Sequence, residues 1–303
     1  MSIPGDLADA SSPELDAATE HALRPLLLAI AYRMVGSRTD AEDLVQEALL
    51  RTVVAQGRER IDSLEAYATT VLTRLAIDHL RSARVRRETY VGPWLPEPVS
   101  ADPAGDGARA AELADSLSLA FLVALESLAP VERAALLLHD VFGYGYPELA
   151  RMLDRTEAAC RQQVSRARAH LRERRTRYDV DPALHDRLLR EFLAACTRGD
   201  LDGIVSTLTD DAVLLTDGGP NARAARFPIR GPIRIARLMA KVFEKRLRMA
   251  EVRRTHVNGT PGFAFVLPDG RVWSAGSLDV ADGRIREVHW VINPEKLQWV
   301  QPS

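Results

Sequence analysis

The stretch 146–175, YPELARMLDRTEAACRQQVSRARAHLRERR, decides how this chain is read. Leu149, Ala150 and Leu153 share one side of a first short helix. Asp154-Arg155-Thr156 follows as a tight turn, with Thr156 placed to cap the next helix. In that second helix Ala159, Val164 and Leu171 face inward, which leaves Arg161, Gln162, Ser165, Arg166 and Arg168 on an outer face. Two short helices joined by a tight turn, the second polar and basic, are expected to form a helix-turn-helix. Such a second helix suits the DNA major groove, where arginine bonds guanine and glutamine bonds adenine; the remaining arginines suit phosphates and would make binding salt-sensitive. A merely solvated basic helix has the same composition, so the stretch needs support from elsewhere in the chain.

Working outward, residues 63–87 (SLEAYATTVLTRLAIDHLRSARVRR) place Tyr67 on one helix with Thr70, Arg74, Asp78, His79 and Arg81, followed by Arg84, Arg86 and Arg87. Aromatic faces stack bases and arginines track the backbone of an opened strand; the competing reading makes Tyr67 a core residue and the arginines a wet surface. Ser63 is placed to cap this helix. Residues 40–56 (DAEDLVQEALLRTVVAQ) turn Leu44, Ala48 and Leu49 inward and Asp40, Glu42, Asp43, Gln46 and Glu47 outward, with Asp40 the expected cap. An earlier helix carries Leu23, Leu26, Leu27, Ile30, Ala31 and Met34 and ends at Gly36-Ser37. Residues 90–110 are a linker, stiffened by prolines in its first half and loose in its second, and helical periodicity resumes at about Ala111. Further helices are expected over 130–142, 146–153 and 156–177.

The texture changes near Asp181-Pro182. Helices are expected over 183–198 and 201–208, a strand over 212–216, a loop at Asp217-Gly218-Gly219-Pro220, and a helix from Gly231-Pro232 to about Leu247. Alternating runs at 250–257, 262–267, 271–280 and 284–292, with Asp269-Gly270 and Asp282-Gly283 between the last three, predict hairpins and an antiparallel sheet. Acid/base chemistry in such a domain would draw on Asp217, His256, His289 and Trp273, but a lone strand histidine is more often structural. A small apolar ligand lined by Phe263, Phe265 and Trp273 is the more natural alternative.

Bulk properties set limits. The chain has 303 residues, 46% hydrophobic and 27% charged, with a net charge of −2, which is ordinary for a soluble globular protein of one to three domains. Arginine bunches at 81–87 and 151–177. Cys160 and Cys196 form no CxxC pair or Cys/His cluster, so neither a metal site nor a disulfide framework is expected, consistent with a reducing cytoplasm. Residues 1–13 read as a disordered lead without the basic start and apolar run of a signal peptide. Leu23–Val35 is interrupted by Arg24, Pro25 and Arg33 and is too short to span a membrane. A cytoplasmic location, no cofactor and no membrane partner are expected.

DAEDLVQEALLR and SLEAYATTVLTRLAIDHLRS resemble region two of extracytoplasmic-function sigma factors, and LAPVERAALLLHDVFGYGYPELARMLDRTEAACRQQVSRARAHL resembles region four of the same family. Both blocks stand in the family's order. The resemblance implies a non-enzymatic protein that binds core RNA polymerase and promoter DNA. Asp40, Asp43, Gln46 and Glu47 would bind the polymerase clamp helices. Arg58, Ser63, Tyr67, Thr70, Arg74, Asp78 and Arg81 would open and read the −10 element. Thr156, Arg161, Gln162, Ser165, Arg166 and Arg168 would read the −35 element, and the linker would run toward the polymerase active-site cleft.

The last third resembles a SnoaL-like cone fold, and with it the SigJ-like group of these factors, on three signatures: Trp94-Leu95-Pro96-Glu97-Pro98, Asp217-Gly218-Gly219, and Asn293-Pro294-Glu295-Lys296-Leu297. These are expected to meet as an interdomain contact that regulates the factor in cis. One departure stands out: the group carries a third glycine and a lysine after Asp-Gly-Gly, where this chain has Pro220-Asn221. The expected architecture is multi-domain: an all-α unit at 1–89, the linker at 90–110, an all-α helix-turn-helix unit at 111–178, and an α+β unit at 181–303. A polymerase-independent regulator, or a cone-fold enzyme fused to DNA-binding helices, would share parts of this pattern.

Overall fold

The computed structural model describes residues 17–301 apart from 59, 89, 101–116 and 173–180, and gives only the backbone of 84–88. The expected lead at 1–13, the loose half of the linker, the side chains of Arg84, Arg86 and Arg87 and the end of the second helix of the helix-turn-helix lie outside what is described.

Three helices open the chain: α1 (Ala17–Val35), α2 (Arg38–Gln56) and α3 (Leu64–Glu88). The cap of α2 differs from expectation. Ser37, not Asp40, is its N-cap, and the Ser37 hydroxyl accepts from the Asp40 N–H. The sharp turn at Gly36, φ +72°, puts Ser37 in extended backbone one residue before the helix, so Asp40 already sits inside the first turn. Ser63 caps α3 through the Ala66 N–H at 3.2 Å.

Among the described residues four more helices follow: α4 (Leu119–Leu125), α5 (Pro130–Leu136), which continues into a π turn at Leu137–Val141, α6 (Tyr146–Leu153) and α7 (Glu157–Arg172). Thr156 caps α7 through the Ala159 N–H, and Asp154 breaks α6 at φ +52°. One apolar cluster runs through both helical groups, from Leu27, Ile30 and Leu72 to Leu125, Ala134 and Val164. A buried arginine fastens the seam. Arg133 on α5 donates to the Met34 carbonyl at the end of α1 at 2.7 Å, to the Leu125 carbonyl and to Glu126, so a cation satisfies a carbonyl that a helix end leaves bare.

The C-terminal third packs α8 (Pro182–Arg198), α9 (Leu201–Thr207) and α10 (Pro232–Arg246) on a sheet of β1 (Leu208–Asp217), β2 (Ile229–Arg230), β3 (Glu251–Val257), β4 (Thr260–Val266), β5 (Val272–Ala281) and β6 (Arg284–Val291). Strand order is β2-β1-β6-β5-β4-β3. The sheet is mixed rather than antiparallel as expected. β3 to β6 follow one another by hairpins, but β1 enters from α9 and lies parallel to β6. β1 also begins earlier than the alternation at 212–216 implies, and the short β2 carries too few residues to show a pattern.

Side-chain alternation gives the sheet two apolar faces. Phe263, Phe265 and Trp290 face the helices with Phe243. Ala264, Val266, Ala275 and Val291 face the other way, against Leu95 of the linker and Leu119 of α4. The sheet therefore uses its outer face to hold the rest of the chain.

Candidate functional site

The interdomain contact centres on Asp217, at the end of β1 and fully buried. One carboxylate oxygen accepts from the Tyr90 hydroxyl at 2.6 Å and the Gly219 N–H at 3.1 Å; the other accepts from the Leu95 N–H at 2.8 Å and Lys296 Nζ at 2.7 Å. Lys296, 7% exposed, also donates to the Leu95 carbonyl and lies 4.1 Å from the Trp94 ring centre and 5.2 Å from that of Tyr90. Burial first, then the Asp217 carboxylate, pushes the Tyr90 phenol far above its usual value, so it stays a donor.

The Asn293–Lys296 turn is held to the same carboxylate residue. The Ile292 and Asn293 N–H groups donate to the Asp217 carbonyl, and Asn293 Nδ2 donates to the Tyr90 hydroxyl. Gly219 has φ +57°, and a Cβ there would lie 2.6 Å from Asn293 Nδ2, so the loop needs glycine twice over. A Cβ on Gly218 would meet the Ala222 carbonyl at 2.6 Å. Pro294 is exposed and opens the turn. The cation at Asp217 is Lys296, and Asn221, where the group carries lysine, donates to Glu295 at 3.1 Å.

Glu97 has another role. Its carboxylate accepts from the Ser37 hydroxyl and the Arg38 and Thr39 N–H groups, capping α2 from the linker. Burial raises its proton affinity; the three donors work in the opposite direction. Trp94 and Pro96 close over Gly36, where a Cβ would sit 2.9 Å from the indole. The C-terminal tail reaches the same turn: Gln298 donates to the Thr39 hydroxyl, and Arg38 lies over the Trp299 ring.

A second junction, absent from the sequence expectations, is built on Asn258 in the β3–β4 turn, also fully buried. Its N–H donates to the Val99 carbonyl and its Oδ1 accepts from the Val99 N–H. Its Nδ2 donates to the Tyr32 hydroxyl at 2.6 Å and the Leu117 carbonyl at 3.1 Å, and Tyr32 in turn donates to the Glu97 carbonyl. One side chain therefore joins α1, the linker, the start of α4 and the sheet. The signal was present: Asn258-Gly259, both at positive φ, is a strong hairpin dipeptide.

On α2, Asp43, Gln46 and Glu47 are exposed, and Asp40 is half-buried with His79 3.4 Å away. Leu50 and Val54 beside them are 55% and 48% exposed, an apolar addition that periodicity did not flag. Glu47, Leu50, Arg51, Val54, Arg58 and Tyr67 line a groove of about 640 Å³ between α2 and α3, so Tyr67 borders the acidic helix rather than the core. Thr70 bonds back to the Ala66 carbonyl, and Asp78 pairs with Arg81 on the exposed side of α3. Arg74 faces the seam instead. It donates to the carbonyls of Met152 and Arg151 at the end of α6, at 3.3 and 3.4 Å.

On α7, Gln162, Ser165 and Arg166 are exposed. Arg161 pairs with Glu157 and lies over the Tyr146 ring, and Arg168 forms a bidentate pair with Asp140. The residues considered for catalysis do not meet: His289 is enclosed and bonded to Glu287, Asp217 is saturated with donors, and His256 is exposed on an outer strand.

Comparison with known proteins agrees with this arrangement. The family profile described as Sigma-70 region 2 matches residues 21–86, and that described as Sigma-70, region 4 matches 118–171. The ECF RNA polymerase sigma factor SigJ of Mycobacterium tuberculosis is 40% identical over 232 residues, 74% of this chain and 72% of the relative. The probable ECF RNA polymerase sigma factor SigI of the same species is 37% identical over 187 residues, 61% of this chain and 64% of the relative. The crystal structure of the Mycobacterium tuberculosis SigJ superposes with a TM-score of 0.75 at 33% identity, covering 94% of this chain and 99% of that one. With helical regions 2 and 4 in order and an α+β unit behind them, the chain belongs to the extracytoplasmic-function sigma factor family.

Proposed function

We propose that this chain binds core RNA polymerase, directs it to promoters, and is held by its C-terminal unit in a closed arrangement that polymerase and DNA must open. The observation that carries the regulatory half is the Asp217–Lys296 pair, which clamps the linker backbone at Leu95 from both its N–H and its carbonyl. The seam supports it, because Arg74, assigned to −10 reading, is engaged by the end of α6 in the helix-turn-helix. In this reading α2 with Asp40, Asp43, Gln46 and Glu47 meets polymerase, the α2–α3 groove with Arg58, Ser63, Tyr67, Thr70, Asp78 and Arg81 meets the −10 strand, and α7 with Thr156, Arg161, Gln162, Ser165, Arg166 and Arg168 meets the −35 duplex. The unit boundaries at 1–89, 90–110, 111–178 and 181–303 belong to the same proposal.

The C-terminal unit acts as a regulator rather than an enzyme, a reading supported by the engagement of Asp217 and the enclosure of His289. Phe263 and Phe265 pack on Phe243 and Trp290, so an apolar ligand would have to displace core aromatics. The protein works in the cytoplasm, where its partners are; no described helix is long and apolar enough to cross a membrane.

Run-off transcription with core polymerase tests both halves, comparing the full chain, full-length Asp217→Asn and a chain ending near Arg177. Failure to form a complex with core polymerase removes the sigma-factor reading. Equal transcript from all three removes cis regulation.

A further inference from the structure

A third long run of positive charge lies outside the elements assigned above to DNA or polymerase. Residues 223–248 hold nine arginines and lysines against one acid, Glu244, in a protein whose net charge is −2. Arg246 lies over Trp273, its guanidinium 4.1 Å from the ring centre, and Arg248 pairs with Glu244. The other seven, Arg223, Arg226, Arg230, Arg234, Arg237, Lys241 and Lys245, are exposed and make no ion pair among the described residues.

Their placement is ordered. Arg234, Arg237, Lys241 and Lys245 recur on α10 at intervals of three and four residues, so at 3.6 residues per turn they fall within an arc of about 80°. The row is about 16 Å long at 1.5 Å per residue, comparable to about five phosphates of one B-DNA strand at about 3.4 Å per step. Ile235, Ala236, Met239 and Phe243 on the opposite side of α10 are buried in the core, which fixes the cationic face outward. The outer face of the sheet, not α10, holds the linker and α4, so among the described residues the row is left uncovered.

We propose that this face of α10, with Arg223, Arg226 and Arg230 of the preceding loop, is a third nucleic-acid-contacting surface, which binds duplex promoter DNA through its phosphates. Charge complementarity selects the occupant. The family works on a polyanion, and arginine forks match phosphate oxygens without reading bases. A lipid surface fits less well, because an interfacial helix must turn its apolar face to the bilayer, and the apolar face of α10 is already in the core.

The test uses reconstituted holoenzyme and full-length Arg234→Ala/Arg237→Ala/Lys241→Ala, with Arg234→Lys/Arg237→Lys as the charge-conserving control. Binding to promoter duplex and to a scrambled duplex is measured across salt concentration, with vesicles rich in phosphatidylglycerol in parallel. Loss of three contacts lowers the slope of log K against log salt by about 2.7. The triple variant should show that fall on both duplexes, while the lysine variant keeps the slope and melting temperatures stay equal. An unchanged slope overturns the proposal. So does a loss confined to core polymerase binding or to vesicles, which would assign the face to an acidic protein surface or to lipid.

Discussion

Replacing Asp217 by asparagine keeps the shape of the interdomain contact and removes its charge. Asp217 is fully buried, and its partner Lys296, 2.7 Å away, is 7% exposed. Removing one partner from a buried pair costs about 3–5 kcal/mol, because the other charge is left uncompensated. Lys296 keeps the Leu95 carbonyl and the Trp94 face, which places the cost near the lower end, about 3 kcal/mol. The loss should concentrate on the linker, since the Leu95 N–H and the Tyr90 hydroxyl both point at this carboxylate. Hydrogen exchange reads it directly: at about 1.4 kcal/mol per power of ten, the Leu95 amide should exchange about 100-fold faster. Lys296→Met added to Asp217→Asn should cost far less than the two changes summed, because the second removes the stranded cation. Exchange within threefold of the parent chain, or additive losses, would refute the assignment of the pair as the clamp.

Asn258→Ala removes a buried side chain that serves Val99, Tyr32 and Leu117; we expect a loss of about 2–4 kcal/mol by denaturant titration, well above that of a surface substitution. Arg74→Ala should cost only about 1 kcal/mol in stability yet shorten the lifetime of the α3–α6 contact, read by fluorescence transfer between labels on the two helical groups. His185 is buried with Nε2 unbonded, and burial lowers its pKa below 6.5. A depressed folded value means that stability is full above about pH 6.5 and falls as pH drops through 6.5 toward that value, with a slope approaching 1.4 kcal/mol per pH unit. His185→Leu should flatten this part of the stability profile, measured as melting temperature between pH 5 and 7.

The helical half of the molecule was legible because its signals are local. Leu27, Ile30 and Leu72 announce their burial by spacing, and Thr156 and Ser63 announce their caps by standing one residue before a helix. The Asp282-Gly283 turn was legible for the same reason. What escaped depends on residues far apart in sequence. Lys296 stands in a signature expected at the interdomain contact, but its pairing with Asp217 and Leu95 depends on residues 79 and 201 positions away. The parallel pairing of β1 with β6 has no short-range signature, since no hairpin turn links them. Ser37 lost its role to Asp40 in the sequence reading because both are good capping residues, and the choice rests on the positive φ of Gly36 one step earlier. The cationic face of α10 was visible as spacing, but net charge near zero concealed it.

The two buried junctions explain why the closed arrangement should open as a unit. Asp217 engages the linker at Leu95 and Asn258 engages it at Val99, four residues on. An extended chain covers about 13 Å in four residues, so both junctions grip one short, nearly straight segment. Between them, Glu97 points the other way and caps α2, and just before them Trp94 lies against Gly36. Peeling the segment from the sheet strands the Leu95 and Val99 amides, the Asp217 carboxylate and the Lys296 ammonium together. Peeling it from α2 strands the Ser37–Thr39 turn. A partial release therefore leaves buried groups unpaired on whichever side lets go, each at about 1–3 kcal/mol or more if charged, and is less favourable than full release into water or onto a new partner. Core polymerase can shift this equilibrium only by binding the open form more tightly than the closed one. A surface that takes α2 would do this best, since Glu97, Gln298 and Trp299 occupy the first turn of that helix in the closed form. Glu97→Ala, which frees that turn without touching either junction, should accordingly raise the affinity for core polymerase, measured by competition against the parent chain; equal or weaker binding would show that the cap and the polymerase do not compete.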